Sequence, residues 1–563
     1  MPEALLRAWL ADPRAPRLCL VPELPPARLP GVTVLSLAGH GLPGAVWSLA
    51  NTLGVAARTP AELLSALLSD GRRRTLALPG LADADDPKAL AELILSLADL
   101  GCLRLLVESP DPLTPRLSQG PAILLEELEA AHWPDDDDLT TLTDDLPSPA
   151  GPAVAVRGDA VPVPAGPDGA VPEAGAGPGG DARGPVPPSA GPLRRDAGVS
   201  PAGGAGPSEP DAVSGRVPLL PVDGAQASRL PGARRAEAGG PALGDAGAVC
   251  AADPRRVTVA YDREGAERGG LGRAWMRAGQ AVVRDVPPPV RAFALLAALG
   301  EDADPALRAE LTALSGEQPW RLTAARPGPA AALALDGDGR LLLADDLGAV
   351  HVLDAADATP AAGTVGTSVR RPRSLAALDD GTLLLLDERG RLRTERGPGG
   401  RLTRAVAETL ARHPGTALTT ADGAVLVGDR MGSVHAFGID GVHQAALHAG
   451  RVTALAYVAG PAPLACSGGA DGAVRTWRPG CTPRPAPLAE RACAVVALAA
   501  APGPDGPLLL VAWADGLVEL HRRGGPVPFR PGPPVRALAL TPDGTAAVAT
   551  EESLLLLRAA AGA

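Results

Sequence analysis

Three glycines near the amino terminus, Gly39, Gly41 and Gly44, have the spacing of a phosphate-binding loop, in which four residues separate the first glycine from the last. They follow an apolar stretch at residues 32–37 that predicts a strand, and a predicted helix begins directly after them. Backbone N–H groups at such a junction attract anions, because the amino terminus of a helix carries partial positive charge. The pattern is compatible with a remnant of a phosphate-binding loop, but we interpret the three glycines first as a tight strand-to-helix turn, with weak nucleotide binding as the alternative.

The two side chains that phosphoryl transfer needs beside this loop are absent. In a hydrolytic loop the next residue is a lysine that contacts the β- and γ-phosphates, followed by a serine or threonine whose hydroxyl binds magnesium. This chain has Ala45 and Val46 at those positions. Phosphoryl transfer relies mostly on electrostatic stabilisation. We therefore expect no ATP or GTP hydrolysis, and at most weak nucleotide binding that does not depend on magnesium.

Apart from those two replacements, the segment resembles the Walker A loop of STAND-type signalling P-loop NTPases, and the resemblance covers about residues 17–130. It implies that residues 78–84 correspond to the Walker B stretch. Pro79 then replaces the acid that helps to hold magnesium, and Asp83 lies near the position of the hydrolytic carboxylate. Predicted strands and helices alternate along this region, which favours a mostly parallel sheet. We expect residues 1–146 to form a degenerate P-loop-like α/β domain.

A second set of side chains that could do chemistry, His448, Ser467, Asp471 and Trp477, lies in the carboxyl-terminal half. A predicted strand ends at Ser467, an Asp-Gly turn follows, and residues 473–477 predict the next strand. This pattern resembles one blade of a WD-repeat β-propeller. The resemblance implies a buried hydrogen-bond network that runs from the aspartate turn through the histidine and serine, with the indole N–H as the final donor. The predicted role of the four residues is therefore structural.

The turn glycine of that blade recurs along the chain. Successive members are separated by 42, 42, 40 and 44 residues, and each precedes a short alternating strand: Gly348, Gly390, Gly432, Gly472 and Gly516. Repeats of this length with four strands each are typical of propeller blades. We therefore expect residues 319–563 to form an all-β propeller of six or seven blades. Residues 319–323 are expected to supply the outer strand that closes the ring.

Two further segments separate these domains. Residues 147–250 consist mainly of Pro, Gly, Ala, Asp and Val without an apolar period, which predicts a disordered linker. Residues 251–318 predict a small helical element with an isolated strand at residues 256–260. The acidic run at residues 135–138 lacks the alternating ligands and central glycine of a calcium loop, and it predicts a solvated acidic edge. In the first domain, residues 17–21 predict an edge strand.

Composition narrows the functional classes. The net charge of −12 argues against nucleic-acid binding, and six cysteines without a CxxC pair are typical of reduced thiols in a cytoplasmic protein. No stretch is long and apolar enough to span a membrane. The frequent Ala, Gly, Pro and Arg are typical of high-GC bacteria such as actinobacteria. No ligand spacing joins the eight histidines: His40, His132, His351, His413, His435, His443, His448 and His521.

These observations favour a non-enzymatic scaffold or regulator. We expect no catalytic residue, no metal site and no cofactor, and partners that are other proteins bound on the propeller surface rather than nucleic acids or membranes. One alternative is a nucleotide-switched signalling NTPase with the propeller as its sensor. A weaker alternative is a propeller enzyme, a lyase or hydrolase, which would need a charged or metal-lined central channel. The sequence leaves the oligomeric state open.

Overall fold

The computed structural model of this 563-residue chain describes most of both predicted domains. The described residues are 2–12, 14–22, 24, 31–108, 117, 122–124, 242–264, 269–361, 363–397, 400–438, 441–458, 460 and 463–560. The acidic run at residues 135–138 and almost all of the predicted linker lie outside these ranges, so both remain predictions.

The amino-terminal region is an α/β domain built on a five-stranded parallel sheet in the order β2-β3-β4-β1-β5. The strands are β1 Leu18–Val21, β2 Val32–Val34, β3 Arg74–Leu78, β4 Leu103–Glu108 and β5 Ala122–Leu124. The helices are α1 Pro2–Ala11, α2 Leu42–Leu53, α3 Pro60–Asp70 and α4 Pro87–Ala98. The predicted class of this domain is confirmed.

The edge of this sheet differs from the sequence prediction. Residues 17–21 were expected at an edge, but β1 lies between β4 and β5, and all four of its residues are buried. Every residue of this strand is apolar, which suits a strand covered on both faces of a parallel sheet. The two edge strands are β2 and β5, and Val34 of β2 is 60% exposed. The strand that leads into the glycine loop is thus one of the two edge strands.

A helical element follows the undescribed segment. It contains α5 Ala246–Ala251, α6 Pro254–Glu264, α7 Gly269–Ala278, α8 Pro288–Ala298 and α9 Pro305–Ser315, with one 3₁₀ turn at Gly279–Ala281. No helix among the described residues combines the length and the apolar character that crossing a bilayer requires.

The isolated strand predicted at residues 256–260 is wrong, because these residues belong to α6. Val257 and Tyr261, which lie four residues apart, are both buried in the core. Thr258 is also buried and accepts a hydrogen bond from Trp275 Nε1 at 3.0 Å. β-branched residues raise strand propensity, but packing of one helical face decides the structure here.

The carboxyl-terminal region is a six-bladed propeller of antiparallel sheets, which settles the predicted choice between six and seven. Blades 1 to 3 contain β7 Ala332–Leu335, β8 Leu341–Ala344, β9 Ala349–Leu353 and β10 Val365–Gly366; β11 Ser374–Ala377, β12 Leu383–Leu386 and β13 Leu392–Glu395; and β14 Gly415–Ala421, β15 Ala424–Asp429, β16 Ser433–Phe437 and β17 Val442–Ala446. Blades 4 and 5 contain β18 Val452–Val458, β19 Leu464–Gly469, β20 Ala473–Trp477 and β21 Ala489–Glu490; and β22 Val495–Gly503, β23 Gly506–Trp513, β24 Val518–Arg522 and β25 Gly525–Phe529. Blade 6 contains β26 Val535–Leu540, β27 Thr545–Thr550, β28 Ser553–Ala559 and β6 Trp320–Pro327.

Blade 6 closes the ring as predicted. β6 precedes all the other propeller strands, yet it pairs antiparallel with β28 at the end of the chain. Blade 2 departs from the regular pattern, because three strands are followed by helix α10 Arg401–Arg412. Val406 and Leu410 of that helix pack against Phe437 in the core between blades 2 and 3.

One face of the ring carries the turns between the second and third strands of every blade, together with the loops that lead to the next blade. We call it the turn face. The two sets of loops touch at the turn glycines: a Cβ at Gly432, whose φ is +92°, would overlap the carbonyl oxygen of His448. Gly472 meets the Arg491 carbonyl oxygen in the same way. The repeating glycines therefore stack each turn against the following loop.

Candidate functional site on the turn face

The glycine loop lies between β2 and α2, with Gly39 at φ +68° and Gly41 as the residue before the helix. The N–H of Gly39 donates to the carbonyl oxygen of Asp83 at 2.9 Å. The N–H of His40 donates to the carbonyl oxygen of Leu37 at 3.1 Å. These two N–H groups are thus directed into the protein rather than toward a ligand.

Helix α6 covers the end of α2 at which a phosphate would bind. A Cβ on Gly44 would lie 3.6 Å from Thr258 Cγ2, and a Cβ on Gly41 would lie 3.7 Å from Asp262 Oδ2 and 3.8 Å from Asp85 Oδ2. Burial, and then the charge of Asp85, raise the pKa of Asp262 above its usual value. An anion at this helix end would therefore meet protein atoms and two carboxyl groups.

The predicted blade network is only partly assembled. His448 Nε2 lies 2.9 Å from Ser467 Oγ, and His448 Nδ1 lies 3.0 Å from Asp471 Oδ1. Trp477 does not join them, because its indole N–H donates to the carbonyl oxygen of Cys481 at 2.8 Å. In the register of β19 and β20, Ser467 pairs with Arg475, whereas Trp477 pairs with Ala465, two residues further from the turn. A nearby carbonyl oxygen accepts the indole N–H instead.

A serine, a histidine and an aspartate in hydrogen-bonded series could also form a hydrolase triad, but burial separates this one from any substrate. Ser467 is 0% exposed and His448 is 7% exposed. Burial lowers the pKa of His448 below its usual value despite the opposing charge of Asp471. The imidazole is then neutral at pH 7 and bridges two polar side chains. We interpret these three residues as a structural bridge within blade 4.

Blades 1 to 3 use another turn device. In blade 3, Asp429 Oδ1 accepts the N–H groups of Met431 and Ser433 at 2.8 and 2.9 Å. The second oxygen, Oδ2, lies 3.2 Å from His435 Nε2. One carboxylate therefore fixes both the turn and the strand that follows it.

This device recurs with the same 42-residue step as the turn glycines, three residues before each of them. Its signal in the sequence is an aspartate followed six residues later by a basic side chain, which the sequence predictions did not include. The separations between the paired nitrogen and oxygen atoms are 3.1, 3.5 and 3.2 Å for Asp345/His351, Asp387/Arg393 and Asp429/His435. The remaining described histidines form no metal site either: no three potential ligands lie together within the described ranges.

The turns of blades 5 and 6 contact the α/β domain and the helical element, and we call them the covered sector. Arg58, just before α3, bonds to both Glu551 and Glu552 in the blade 6 turn. Arg277 of α7 adds a contact of 2.9 Å between its Nε and Glu552 Oε2. These are ion pairs between side chains that are at most one-third exposed.

Apolar packing accompanies these ion pairs. In the blade 5 turn, a Cβ on Gly516 would make ordinary contact with Ala56 at 3.8 Å. The rings of Phe293 on α8 and Phe529 on β25 lie edge to face with centroids 5.6 Å apart. One continuous apolar cluster extends from the α/β domain through the helical element into blades 5 and 6. The covered sector is thus an interface that the chain makes with itself.

The turns and connecting loops of blades 1 to 4 form the free sector. Leu347 and Met431, at the tips of the blade 1 and blade 3 turns, are 80% and 79% exposed. The free sector also carries seven exposed arginines: Arg370, Arg371, Arg373, Arg389, Arg391, Arg430 and Arg451. A cleft of about 720 Å³ between blades 1 and 2 is lined by five arginine side chains and Leu347.

The central channel contains a cavity of about 500 Å³. Its wall comes from the first strand of every blade and consists mainly of Ala and Leu. Charged side chains such as Arg373 and Asp379 lie beyond the strand ends, at the two mouths. Ser374, Thr419, Thr420, Thr453 and Arg536 also line the cavity, so its wall combines polar side chains with the Ala and Leu residues.

Comparison of the sequence with protein-family models and with curated proteins found no match.

Proposed function

We propose that this protein is a non-enzymatic cytoplasmic scaffold that binds a partner protein on the free sector, while its own α/β domain and helical element occupy the covered sector. The proposal rests on the difference in side-chain exposure between the free sector and the covered sector of the turn face. Leu347 and Met431 are about four-fifths exposed, whereas Phe529 is 7% exposed. Leu347 and Met431 lie on the turns of two different blades of a rigid ring, where a partner that spans both turns would cover them.

Two features support a role without catalysis. The Ser467–His448–Asp471 series is buried, and Ala and Leu are the commonest residues of the channel wall. These features disfavour the alternative of a lyase or hydrolase.

The scaffold proposal predicts partners that depend on the free sector. Tagged full-length protein, an L347D/M431D variant and a V442D control would be purified from the native cytosol, and co-purifying proteins quantified. Val442 is also exposed, at 62%, but it lies at the opposite end of its blade. We expect at least one protein to be retained by wild type and control and lost from L347D/M431D. Identical sets of proteins for all three would contradict the proposal.

We also propose that the α/β domain is a structural part of the scaffold without NTPase activity. Ala45 and Val46 supply neither a cation nor a hydroxyl, and α6 covers the helix end. Phosphate release from ATP and GTP should stay at background, and calorimetry should show the same weak or absent nucleotide binding with magnesium and with EDTA. Magnesium-dependent hydrolysis that disappears in Asp83→Ala would favour the nucleotide-switch alternative instead.

A further inference from the structure

The two sectors of the turn face differ in the charged side chains that they expose. In the covered sector the turns carry carboxylates, and Glu551 and Glu552 pair with arginines from the other domains. In the free sector the equivalent turn positions carry Arg389 and Arg430 with the exposed Leu347 and Met431, together with the acids Asp346, Glu388 and Asp471. A chain with a net charge of −12 thus places several exposed arginines on one surface.

These arginines lack anionic partners within the described ranges. The guanidinium groups of Arg370, Arg371, Arg389 and Arg430 make no hydrogen bond or ion pair with any described residue. By contrast, Arg58 in the covered sector contacts three carboxylates. The free sector therefore presents donors in the form that binds carboxylates best.

The cleft between blades 1 and 2 has the size of a binding site and an excess of positive charge. Its lining includes Arg370, Arg371, Arg389, Arg391 and Arg393. Three acids share the cleft: Asp346, Asp387 and Glu388. Asp346 lies within 4 Å of Arg536, and Asp387 lies within 4 Å of Arg393. Glu388 is then the one acid of the cleft that can offset its remaining arginines. A volume of about 720 Å³ accommodates several side chains of an extended segment.

A second group of arginines, Arg373, Arg430 and Arg451, lies in the turns and loops of blades 2, 3 and 4, and Arg373 lines the mouth of the channel. Burial, followed by the charges of Arg373 and Arg430, lowers the pKa of Arg451. Like charges held this close repel one another, and a bound anion relieves that repulsion. The cationic surface thus continues from the cleft toward the mouth of the channel.

We infer that the free sector binds an acidic segment of a partner protein that also carries apolar side chains. This inference rests on the proposed scaffold function and adds the chemistry of the partner. The carboxylates of the segment pair with the arginines, as Glu551 and Glu552 pair in the covered sector. Its apolar side chains contact Leu347 and Met431 at the turn tips. The interface that the chain makes with itself has the same composition with the charges exchanged.

A nucleic acid offers the same negative charge but fits the surface less well. Single strands bind through stacking on aromatic rings, and no aromatic residue is among the large apolar side chains exposed in the described ranges. The overall charge of −12 also repels a polyanion at long range. Leucine and methionine favour a protein segment.

The test measures fluorescence anisotropy of labelled probes on full-length protein. The probes are a 14-residue peptide of glutamates with two leucines, the same peptide with serines for leucines, the same peptide with glutamines for glutamates, and single-stranded DNA of similar charge. The variants are R389E/R430E, L347S/M431S and a control, R478E/R523E, whose arginines follow the third strands at the opposite end of their blades. Circular dichroism and melting curves confirm that each variant folds.

We expect the glutamate–leucine peptide to bind most tightly of the four. Its affinity should fall about tenfold or more in R389E/R430E, about threefold in L347S/M431S, and remain unchanged in R478E/R523E. Tighter binding of DNA, equal loss in the control variant, or equal binding of the glutamine peptide would overturn the inference. So would an absence of peptide binding in both the wild type and a variant with asparagines at residues 135–138. Binding only in that last variant would assign the surface to the chain's own acidic run.

The two proposals fail in different ways. If no acidic peptide binds but L347D/M431D still loses its cytosolic partner, the scaffold function stands and the partner chemistry is wrong. If the partner remains bound to L347D/M431D, the scaffold function of this face is wrong.

Discussion

The covered and free sectors of the turn face are built from the same repeating turn, yet they differ in what contacts them. In blades 1 to 4 each turn glycine meets a carbonyl oxygen of the following loop, whereas Gly516 of blade 5 meets Ala56 of another domain. The covered turns present carboxylates to Arg58 and Arg277, and the free turns present arginines to solvent. The backbone of the turns is therefore common to both sectors, and the side chains of the turns determine what binds to each sector.

The largest effect should come from the core of a free-sector blade. Trp477 is 3% exposed and its N–H is satisfied, so Trp477→Ala leaves a cavity and an unpaired carbonyl. We expect a loss of about 3–5 kcal/mol in the free energy of unfolding, measured by urea denaturation. The free sector has to be stabilised within its own blades because no described domain covers it. A loss below about 1 kcal/mol would show that the blade does not depend on this side chain.

Turn glycines allow a matched test of the two sectors. Gly432→Ala forces a Cβ into the His448 carbonyl at a positive φ, and should cost about 2–4 kcal/mol. Gly516→Ala has a similar φ, but its Cβ would make only ordinary contact with Ala56, so about 1–2 kcal/mol is expected. Melting curves of the two variants decide the point. Equal destabilisation would mean that the loop contacts do not distinguish the sectors.

Arginine side chains should contribute to stability through ion pairs in the covered sector but not at Arg389 and Arg430 of the free sector. Arg58→Ala removes contacts with two carboxylates of the blade 6 turn, and should cost about 1 kcal/mol after allowance for solvent screening. Arg389→Ala and Arg430→Ala remove side chains without described partners, and should change stability by less than about 0.5 kcal/mol. A double-mutant cycle of Arg58→Ala with Glu552→Gln would isolate the pair. A coupling energy near zero would contradict its assigned role.

The smallest effect concerns pH. Burial lowers the pKa of His448 below its usual 6.5, so the unfolded chain binds this proton more tightly than the folded protein does. The stabilisation is complete above about pH 6.5 and is lost as pH falls toward the folded-state pKa. We expect the melting temperature to decrease as the pH is lowered below 6.5. The His448→Gln variant should show a weaker dependence of melting temperature on pH. Identical profiles would contradict the assignment.

Much of the fold could be predicted because propeller blades repeat. The 42-residue step of the glycines predicted the ring, and residues 319–323 predicted its closing strand, since both signals are local in sequence. The prediction of an isolated strand at residues 256–260 was wrong because packing of Val257 and Tyr261 in the core makes this segment helical. Composition alone does not show that packing. Helix α10 was also missed, although it is amphipathic.

The candidate site was harder to predict. The spacing of Gly39, Gly41 and Gly44 indicates a loop before a helix, but it cannot show that α6 lies over it. The charge contrast between the sectors likewise requires knowledge of which turns the other domains cover. The aspartate–histidine pairs of blades 1 and 3 were visible in the sequence, because they share the glycine period.

Hydroxyl-radical footprinting of the full-length protein tests the division of the turn face most directly. Methionine oxidises readily when exposed, and the chain offers a contrast between Met431, which is 79% exposed, and Met276 of α7, which is partly buried. In the free protein we expect Met431 to oxidise much faster than Met276, and Phe293 and Phe529 to stay protected. Adding the glutamate–leucine peptide should slow oxidation of Met431 alone. Protection of Met431 before any peptide is added, or reactive phenylalanines in the covered sector, would contradict the account.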